Sequence, residues 1–159
     1  MIEKTLVLIK PDGVERGLVG EIITRFERVG LKIDAMKMTQ VNSEFSKKHY
    51  AEHVGKKFYS ALETMITSGP VVAMALEGVE AIAVVRKMVG GTEPKTAVPG
   101  TIRGDYSHVS YTHADKKGIG VKNIIHASAD AKDAKRELAL WFKLKEFYSY
   151  EGVSDKHTM

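Results

Sequence analysis

The chain has 159 residues, a length that suits a single domain with a substantial hydrophobic core. Hydrophobic residues make up 43% and charged residues 28% of it, which excludes a disordered chain, and the absence of cysteine excludes disulfides and cysteine zinc sites. The net charge of +4 and a pI near 9.2 favour an anionic partner, either nucleic acid or phosphorylated small molecules.

The first β-strand is predicted over residues 5–9, a continuous β-favouring run typical of a central strand covered on both faces. The apolar run ends at Lys10 and is too short for a signal-peptide core or a membrane span, so we expect a cytoplasmic protein without a membrane partner. Pro11 ends the strand, because proline cannot continue a central ladder. Lys10 is well placed to reach into a cleft, although the position also suits a lysine lying along the surface.

Helices and strands alternate in the next part of the chain. A helix ending at Gly30 has an apolar face of Ile22, Ile23, Phe26 and Val29, and a second strand is predicted over residues 31–41. Ser43 is a predicted N-cap of a polar helix through residue 51. Near its end, Tyr50 and His53 are predicted to lie three positions apart on one face.

Another helix carries an apolar stripe of Phe58, Leu62, Met65 and Ile66 and stops at residues 68–70. The third strand is predicted over residues 71–76, after which Gly78 turns into a helix that bears Arg86. Residues 90–105 are rich in glycine and proline and are predicted to form an irregular loop that holds Thr92 and Arg103. Residues 106–120 are polar and are predicted to form an exposed excursion.

The segment of residues 123–128 is the centre of the functional interpretation. Its two β-branched residues predict a short buried strand that ends at His126, and two small residues leave room for a ligand to approach. A helix over residues 131–142 presents Glu137, whose carboxylate could hold one ring nitrogen and leave the other free as a nucleophile or base. The same pattern is also typical of a histidine that is simply satisfied in a core or at an edge.

The order of elements predicts the fold. Without the inserted helix pair between the second and third strands, the chain reads βαββαβ, the ferredoxin-like arrangement with an antiparallel four-stranded sheet. The fold class is therefore α/β in the broad sense (α+β), in one domain over residues 1–159, and an α/β sheet of another topology is the alternative.

Several cationic and hydroxyl side chains stand at element ends or in loops. A triphosphate that undergoes phosphoryl transfer is stabilised by cations and hydroxyl donors, because negative charge is redistributed over its oxygens in the transition state. Such groups can converge on one site from separate elements. Each arginine alone equally suits a solvated surface site. The six histidines show no HxH or HExxH spacing, so we predict no metal site built by the protein. The phosphate-binding candidates are Lys10, Tyr50, Arg86, Thr92 and Arg103.

Five ordered segments together carry a resemblance to a known family: residues 9–20 (Ile-Lys-Pro-Asp-Gly onward), 49–53, 68–74, 99–105 (Pro-Gly-Thr-Ile-Arg-Gly-Asp) and 123–128 (Asn-Ile-Ile-His-Ala-Ser). On these motifs the chain closely resembles nucleoside diphosphate kinases over essentially its whole length. The resemblance implies the ferredoxin-like fold and transfer of the γ-phosphoryl group of a nucleoside triphosphate to a nucleoside diphosphate, by a ping-pong mechanism through a phosphohistidine at His126.

The resemblance also implies roles for other residues. Glu137 would hold the second ring nitrogen of His126, and Tyr50 would place its hydroxyl next to that ring. Lys10 and Asn123 would reach the ribose hydroxyls, with Lys10 also at the terminal phosphate. The implied phosphate clamp consists of His53, Arg86, Thr92 and Arg103.

For the base, the resemblance implies an apolar slot at Phe58 and Leu62, and with it broad base specificity. It further implies Mg²⁺ held mainly by the nucleotide phosphates, and a homo-hexamer or, alternatively, a homo-tetramer.

The chain departs from the family pattern at two places. Residues 106–120 contain an insertion, which leaves open whether Ile119, Gly120 or Val121 covers the base, and Ala129-Asp130 replaces the usual acidic position.

Two other classes of protein compete with the enzyme. A non-catalytic nucleotide-sensing module would use the clamp without the nucleophile, and the presence of both His126 and Glu137 argues against it. A nucleic-acid-binding protein would fit the pI, but the aromatic residues are not interleaved with basic ones as stacking platforms require, so nucleic acid is not the expected partner.

Overall fold

The computed structural model describes residues 1–158 and contains one four-stranded sheet. The strands are β1 (Ile2–Ile9), β2 (Lys32–Gln40), β3 (Pro70–Val79) and β4 (Ile125–Ala127). They lie in the order β2-β3-β1-β4, and every neighbouring pair is antiparallel. The predicted ferredoxin-like topology is therefore confirmed.

The helices connect and cover these strands. They are α1 (Pro11–Glu15), α2 (Val19–Arg28), α3 (Ser43–His49), α4 (Tyr59–Thr67), α5 (Ala81–Val89), α6 (Ile102–Tyr106), α7 (Tyr111–Lys117), α8 (Ala131–Trp141) and α9 (Asp155–Thr158). The predicted helix pair inserted between β2 and β3 is α3 and α4. Within residues 1–158, every helix is too short or too polar to cross a bilayer.

The sheet separates two hydrophobic layers, and β1 contributes to both. Val7 and Ile9 pack with α2 and α5 on one face, whereas Leu6 and Leu8 pack with α3, α4 and α8 on the other. All four side chains are fully buried, as predicted for a central strand. Because successive residues of a strand point to opposite faces, each strand can deliver alternate residues to either layer.

Several predicted boundaries differ from the structure. Asn42, rather than Ser43, caps α3, because its side chain accepts the Phe45 N–H at 2.8 Å. Gly78 does not turn the chain but stays in β3 opposite Glu3, and the turn into α5 is made at Glu80 in a left-handed conformation (φ 49°). Sequence pattern missed this extension because the pairing partner lies about 75 residues away in β1.

The segment predicted to be irregular (90–105) and the predicted exposed excursion (106–120) both contain helices. Arg103 lies in α6, whose cap is Thr101, and not in an open loop. The 106–120 excursion contains α7, capped by Ser110, which accepts the His113 N–H at 3.2 Å. Tyr50 and His53 do not share an α-helical face, since α3 ends at His49 and a 3₁₀ turn (Ala51–His53) follows.

Candidate active site

His126 lies at the middle of β4, opposite Leu8 of β1. Its neighbours Ile125 and Ala127 face the core layer of α2 and α5, so strand alternation turns the imidazole toward the opposite layer, where α3 and α8 pack. The side chain is 25% exposed. It is therefore held by the sheet and still open to a ligand.

Glu137 of α8 fixes the orientation and the tautomer of the His126 ring. Nε2 lies 3.0 and 3.1 Å from the two carboxylate oxygens of Glu137, which is 2% exposed. Burial alone would raise the pKa of Glu137, but hydrogen bonds from His126 and Ser128 hold it below its ordinary value. The carboxylate is thus ionised and accepts the Nε2 hydrogen, which leaves Nδ1 with a free lone pair.

His49 of α3 also packs against His126, a contact that the sequence did not predict. The two rings meet edge to face with their centroids 4.8 Å apart, and His49 Nδ1 accepts the Trp141 Nε1–H at 3.2 Å. Burial, with the neighbouring His126 as a second cause, lowers the pKa of His49 to about 3. The His49 imidazole is therefore uncharged and packs against one side of the His126 ring. The only available signal was its adjacency to Tyr50 within a matched motif.

Lys10 and Asn123 meet at the end of β1, as candidates for one binding site should. Lys10 Nζ donates to Asn123 Oδ1, and Asn123 Nδ2 donates to the Thr92 carbonyl at 2.8 Å. Lys10 is buried, which lowers its pKa to about 8, with Asp12 opposing this shift and Arg103 adding to it. The lysine is a recessed cation that is not lying along the surface.

Arg103 is anchored mainly to the backbone around the His126 strand. Its three nitrogens donate to the carbonyls of Asn123 (3.3 Å), Gly90 (3.0 Å) and Ile125 (2.7 Å). Burial lowers its pKa to about 10, and the exposed Arg86 on α5 is close enough to contribute to this. A guanidinium has five N–H groups, so two remain for a phosphate.

A cavity of about 560 Å³ adjoins this cluster. Phe58 and Leu62 line one side, and the segment 119–121 lines the other, so all three candidates for the second face of the base border it. Asp115 of α7 also lines it, which means that the insertion forms part of the wall. His126 is not in the lining. The cavity therefore borders the cluster without including the histidine.

Aromatic rings connect the cavity with the inner cluster. The Tyr50 and His53 centroids are 6.0 Å apart, and those of His53 and Phe58 are 5.5 Å apart. Tyr50 also approaches the His49 ring at 4.6 Å, and burial raises its pKa, so the phenol stays protonated. Thr92 and Arg86 are exposed. Ring contacts thus join Phe58, His53 and Tyr50 to His49, which packs against His126.

One group of possible metal ligands occurs within residues 1–158: His49, His126 and Glu137, with ligand atoms within 4.8 Å of one another. These atoms are already engaged, because His126 Nε2 donates to Glu137 and His49 Nδ1 accepts from Trp141. Mg²⁺ prefers oxygen ligands and retains water. The surrounding clamp candidates are cationic, so the residues fit an ion held by phosphate oxygens rather than by a protein cage.

Asp130 explains the second sequence departure. It is the N-cap of α8, and its side chain accepts the Asp133 N–H at 2.8 Å. The carboxylate of Asp130 therefore caps the N-terminus of the helix that carries Glu137. Ala129, the preceding residue, is exposed.

Comparisons with known proteins identify the family. The family model described as nucleoside diphosphate kinase matches residues 3–147. The nucleoside diphosphate kinase of Pyrococcus furiosus is 52% identical over 154 residues (97% of this chain and 91% of the relative), and one from Thermus thermophilus is 54% identical over 145 residues (91% and 98%).

Solved structures agree with these relatives. The nucleoside diphosphate kinase of Borrelia burgdorferi, a transition state mimic with bound vanadate and ADP, superposes with a TM-score of 0.96 at 46% identity, covering 99% of this chain and 96% of that one. The Halobacterium salinarum enzyme in complex with CDP gives a TM-score of 0.88 at 41% identity, covering 98% and 97%. The chain therefore belongs to the nucleoside diphosphate kinase family and is a phosphotransferase.

Proposed function

We propose that the chain transfers the γ-phosphoryl group from a nucleoside triphosphate to a nucleoside diphosphate through a phosphohistidine at His126 Nδ1. The observation that carries this proposal is the pair of contacts between His126 Nε2 and Glu137, which leave the Nδ1 lone pair free in a side chain that is 25% exposed. The vanadate and ADP bound to the Borrelia burgdorferi relative support phosphoryl transfer at such a site.

The reaction has two balanced halves. The Nδ1 lone pair attacks the γ-phosphorus, the bond to the bridging oxygen breaks, and the diphosphate leaves with the bond electrons. The terminal oxygen of a second diphosphate then attacks the same phosphorus, and Nδ1 leaves with its lone pair restored. Glu137 stabilises the positive charge that develops on the imidazole in each half, because its buried carboxylate accepts the Nε2 hydrogen.

Nucleotide binding divides between directional and non-directional contacts. Lys10 and Asn123 bind the ribose hydroxyls, and Tyr50 places its hydroxyl beside the reacting ring. The phosphate clamp consists of His53, Arg86, Thr92 and Arg103. The base lies between Phe58 with Leu62 and the segment 119–121, which favours broad base specificity because every base offers a π-face.

Mg²⁺ would enter with the nucleotide, bound by phosphate oxygens, and would neutralise phosphate charge during transfer. We further propose that the chain is one domain that acts in the cytoplasm as a homo-hexamer or homo-tetramer, with nucleoside di- and triphosphates rather than nucleic acid as partners.

Intact mass spectrometry after incubation with ATP and no acceptor tests the proposal. The wild-type chain is expected to gain one phosphoryl group that is stable to alkali and labile to acid, and to lose it when a diphosphate is added. The variant His126→Ala should gain none while still binding nucleotide, because the clamp lies on other residues. A nucleotide-bound wild-type chain that gained no mass would indicate the sensing module instead.

A further inference from the structure

Ile124, which lies between Asn123 and strand β4, has an unusual backbone conformation. Ile124 has φ 71° and is fully buried. Its two neighbours close a three-residue turn, in which Ile125 N–H donates to the Asn123 carbonyl at 2.8 Å. This is the γ-turn with positive φ, which is rare and strained, and a β-branched residue is especially unsuited to it.

Both polar backbone groups of Ile124 are bound by the junction of β1 and α1. The Lys10 N–H donates to the Ile124 carbonyl at 2.8 Å, and the Ile124 N–H donates to Asp12 Oδ2 at 3.0 Å. Gly13 leaves space for the turn, since a Cβ there would lie 3.0 Å from Ile124 Cγ2 and 3.1 Å from its carbonyl oxygen. The strained turn is therefore seated on a segment more than a hundred residues earlier in the chain.

The bond from the Ile124 N–H to Asp12 involves a side chain, whereas the bond from Lys10 to Ile124 joins two backbone groups. A substitution at residue 12 can therefore remove the Asp12 bond alone. Asp12 is 5% exposed, and its second oxygen has no hydrogen-bond partner among residues 1–158. Its bond to Ile124 is therefore the main directional contact of a buried carboxylate. Strain of this kind persists only where the surroundings over-determine the conformation, and it concentrates at functional sites.

The turn sets the separation between two functional groups. Asn123, at its start, bonds to Lys10 Nζ, and His126 follows two residues after Ile124. If the turn relaxed toward negative φ, the Asn123 side chain would stay tied to Lys10 and Thr92 while the start of β4 rotated. The nucleophile would then shift relative to a nucleotide held by its ribose and phosphates.

We propose that Asp12 is a positioning residue for phosphoryl transfer, which holds the strained turn at Ile124 and thereby sets the distance from His126 Nδ1 to the γ-phosphorus. This inference rests on the proposed function of His126. Asp12 acts through the backbone and does not itself contact the reacting atoms.

Single-turnover phosphorylation by ATP, with the rate normalised to the fraction of protein that becomes labelled, tests this role. Asp12→Ala should slow formation of phosphohistidine about tenfold to a hundredfold, while the dissociation constant for ADP changes by less than about threefold. Asp12→Asn should recover the rate to within about threefold, because its amide oxygen can still accept the Ile124 N–H. The control Glu27→Ala, an exposed site on α2, should match wild type.

Asp12→Ser, whose hydroxyl is too short to reach Ile124, replaces Asp12→Ala as the variant without the bond if the alanine protein does not fold. A loss of labelled fraction with an unchanged rate would show a purely structural role and overturn the proposal. Equal slowing in Asp12→Asn and in the variant without the bond would also overturn it, since charge would then be the cause. Failure of the wild-type chain to become labelled would instead reject the phosphohistidine itself.

Discussion

The hydroxyl of Ser128 donates to Glu137 Oε2 at 2.6 Å, and the Ser128 oxygen also accepts the Leu6 N–H at 3.3 Å. Ser128 therefore connects the carboxylate that binds His126 to the backbone of the central strand. This connection gives Glu137 a fixed position even though its helix begins five residues after His126.

Glu137→Gln should reduce the rate of His126 phosphorylation about tenfold to a hundredfold, because the amide can accept the Nε2 hydrogen but carries no charge to stabilise the imidazolium. Ser128→Ala should cost less, about threefold to tenfold, because the carboxylate keeps its charge and its contact with His126. Single-turnover rates measure both. A Gln variant as fast as wild type would show that the carboxylate charge plays no part.

Lys10→Met should stabilise the fold near neutral pH. Burial lowers the pKa of Lys10 from 10.5 to about 8, so below about pH 8 the folded chain carries a charge that costs about 3 kcal/mol relative to the unfolded chain. Between about pH 8 and pH 10.5 Lys10 is neutral in the folded chain but still protonated in the unfolded chain. The destabilisation by the buried charge therefore decreases across this range and is absent above it. After subtracting the lost bond to Asn123, we expect a gain of about 2 kcal/mol at about pH 7.

Urea unfolding at about pH 7 and about pH 10 measures this difference, with Lys56→Met as an exposed control. The gain should be largely absent at the higher pH, and the control should show no such dependence. An equal gain at both pH values would mean that Met packs better and that the buried charge is not the cause.

Arg103→Ala should lower kcat about a hundredfold and also reduce stability, because the guanidinium bonds three backbone carbonyls in addition to its proposed contact with the phosphates. Arg103→Lys should not restore kcat, since an ammonium cannot reproduce the planar fork. Steady-state kinetics and thermal unfolding measure the two effects. If KM alone rose at constant kcat, Arg103 would be a ground-state phosphate anchor.

Base specificity should be broad. The cavity presents apolar side chains from Phe58, Leu62 and Ile119, and differences in such contacts are worth only about 1–3 kcal/mol. The kcat/KM values for adenine, guanine, cytosine and uracil diphosphates with one common donor should therefore agree within about two orders of magnitude. A preference of about a thousandfold that Asp115→Ala removed would show that the insertion reads the base edge.

The sequence alone was sufficient to predict the four strands, the longest helices and the residue types of the candidate site. The continuous β-favouring run of residues 5–9 fixed β1 as a central strand, and the pattern of residues 131–142 predicted α8 to within one residue of Trp141. Both signals act between near neighbours, through strand alternation and helical periodicity. The pairing of His126 with Glu137 was within reach for the same reason, because only eleven residues separate them.

Contacts between groups that are distant in the sequence became visible only in the folded chain. Nothing near Asp12 in the sequence predicts its bond to Ile124, which lies 112 residues away. The sequence predicted His49 only as part of a polar helix. In the structure Trp141 donates to its ring and His126 packs against it. The insertion was predicted to be exposed, yet α7 and the segment after it form one wall of the cavity. The bond between Asp12 and Ile124 depends on the antiparallel pairing of β1 with β4, and the other contacts depend on helices that pack together on one side of the sheet. A local pattern does not contain that information.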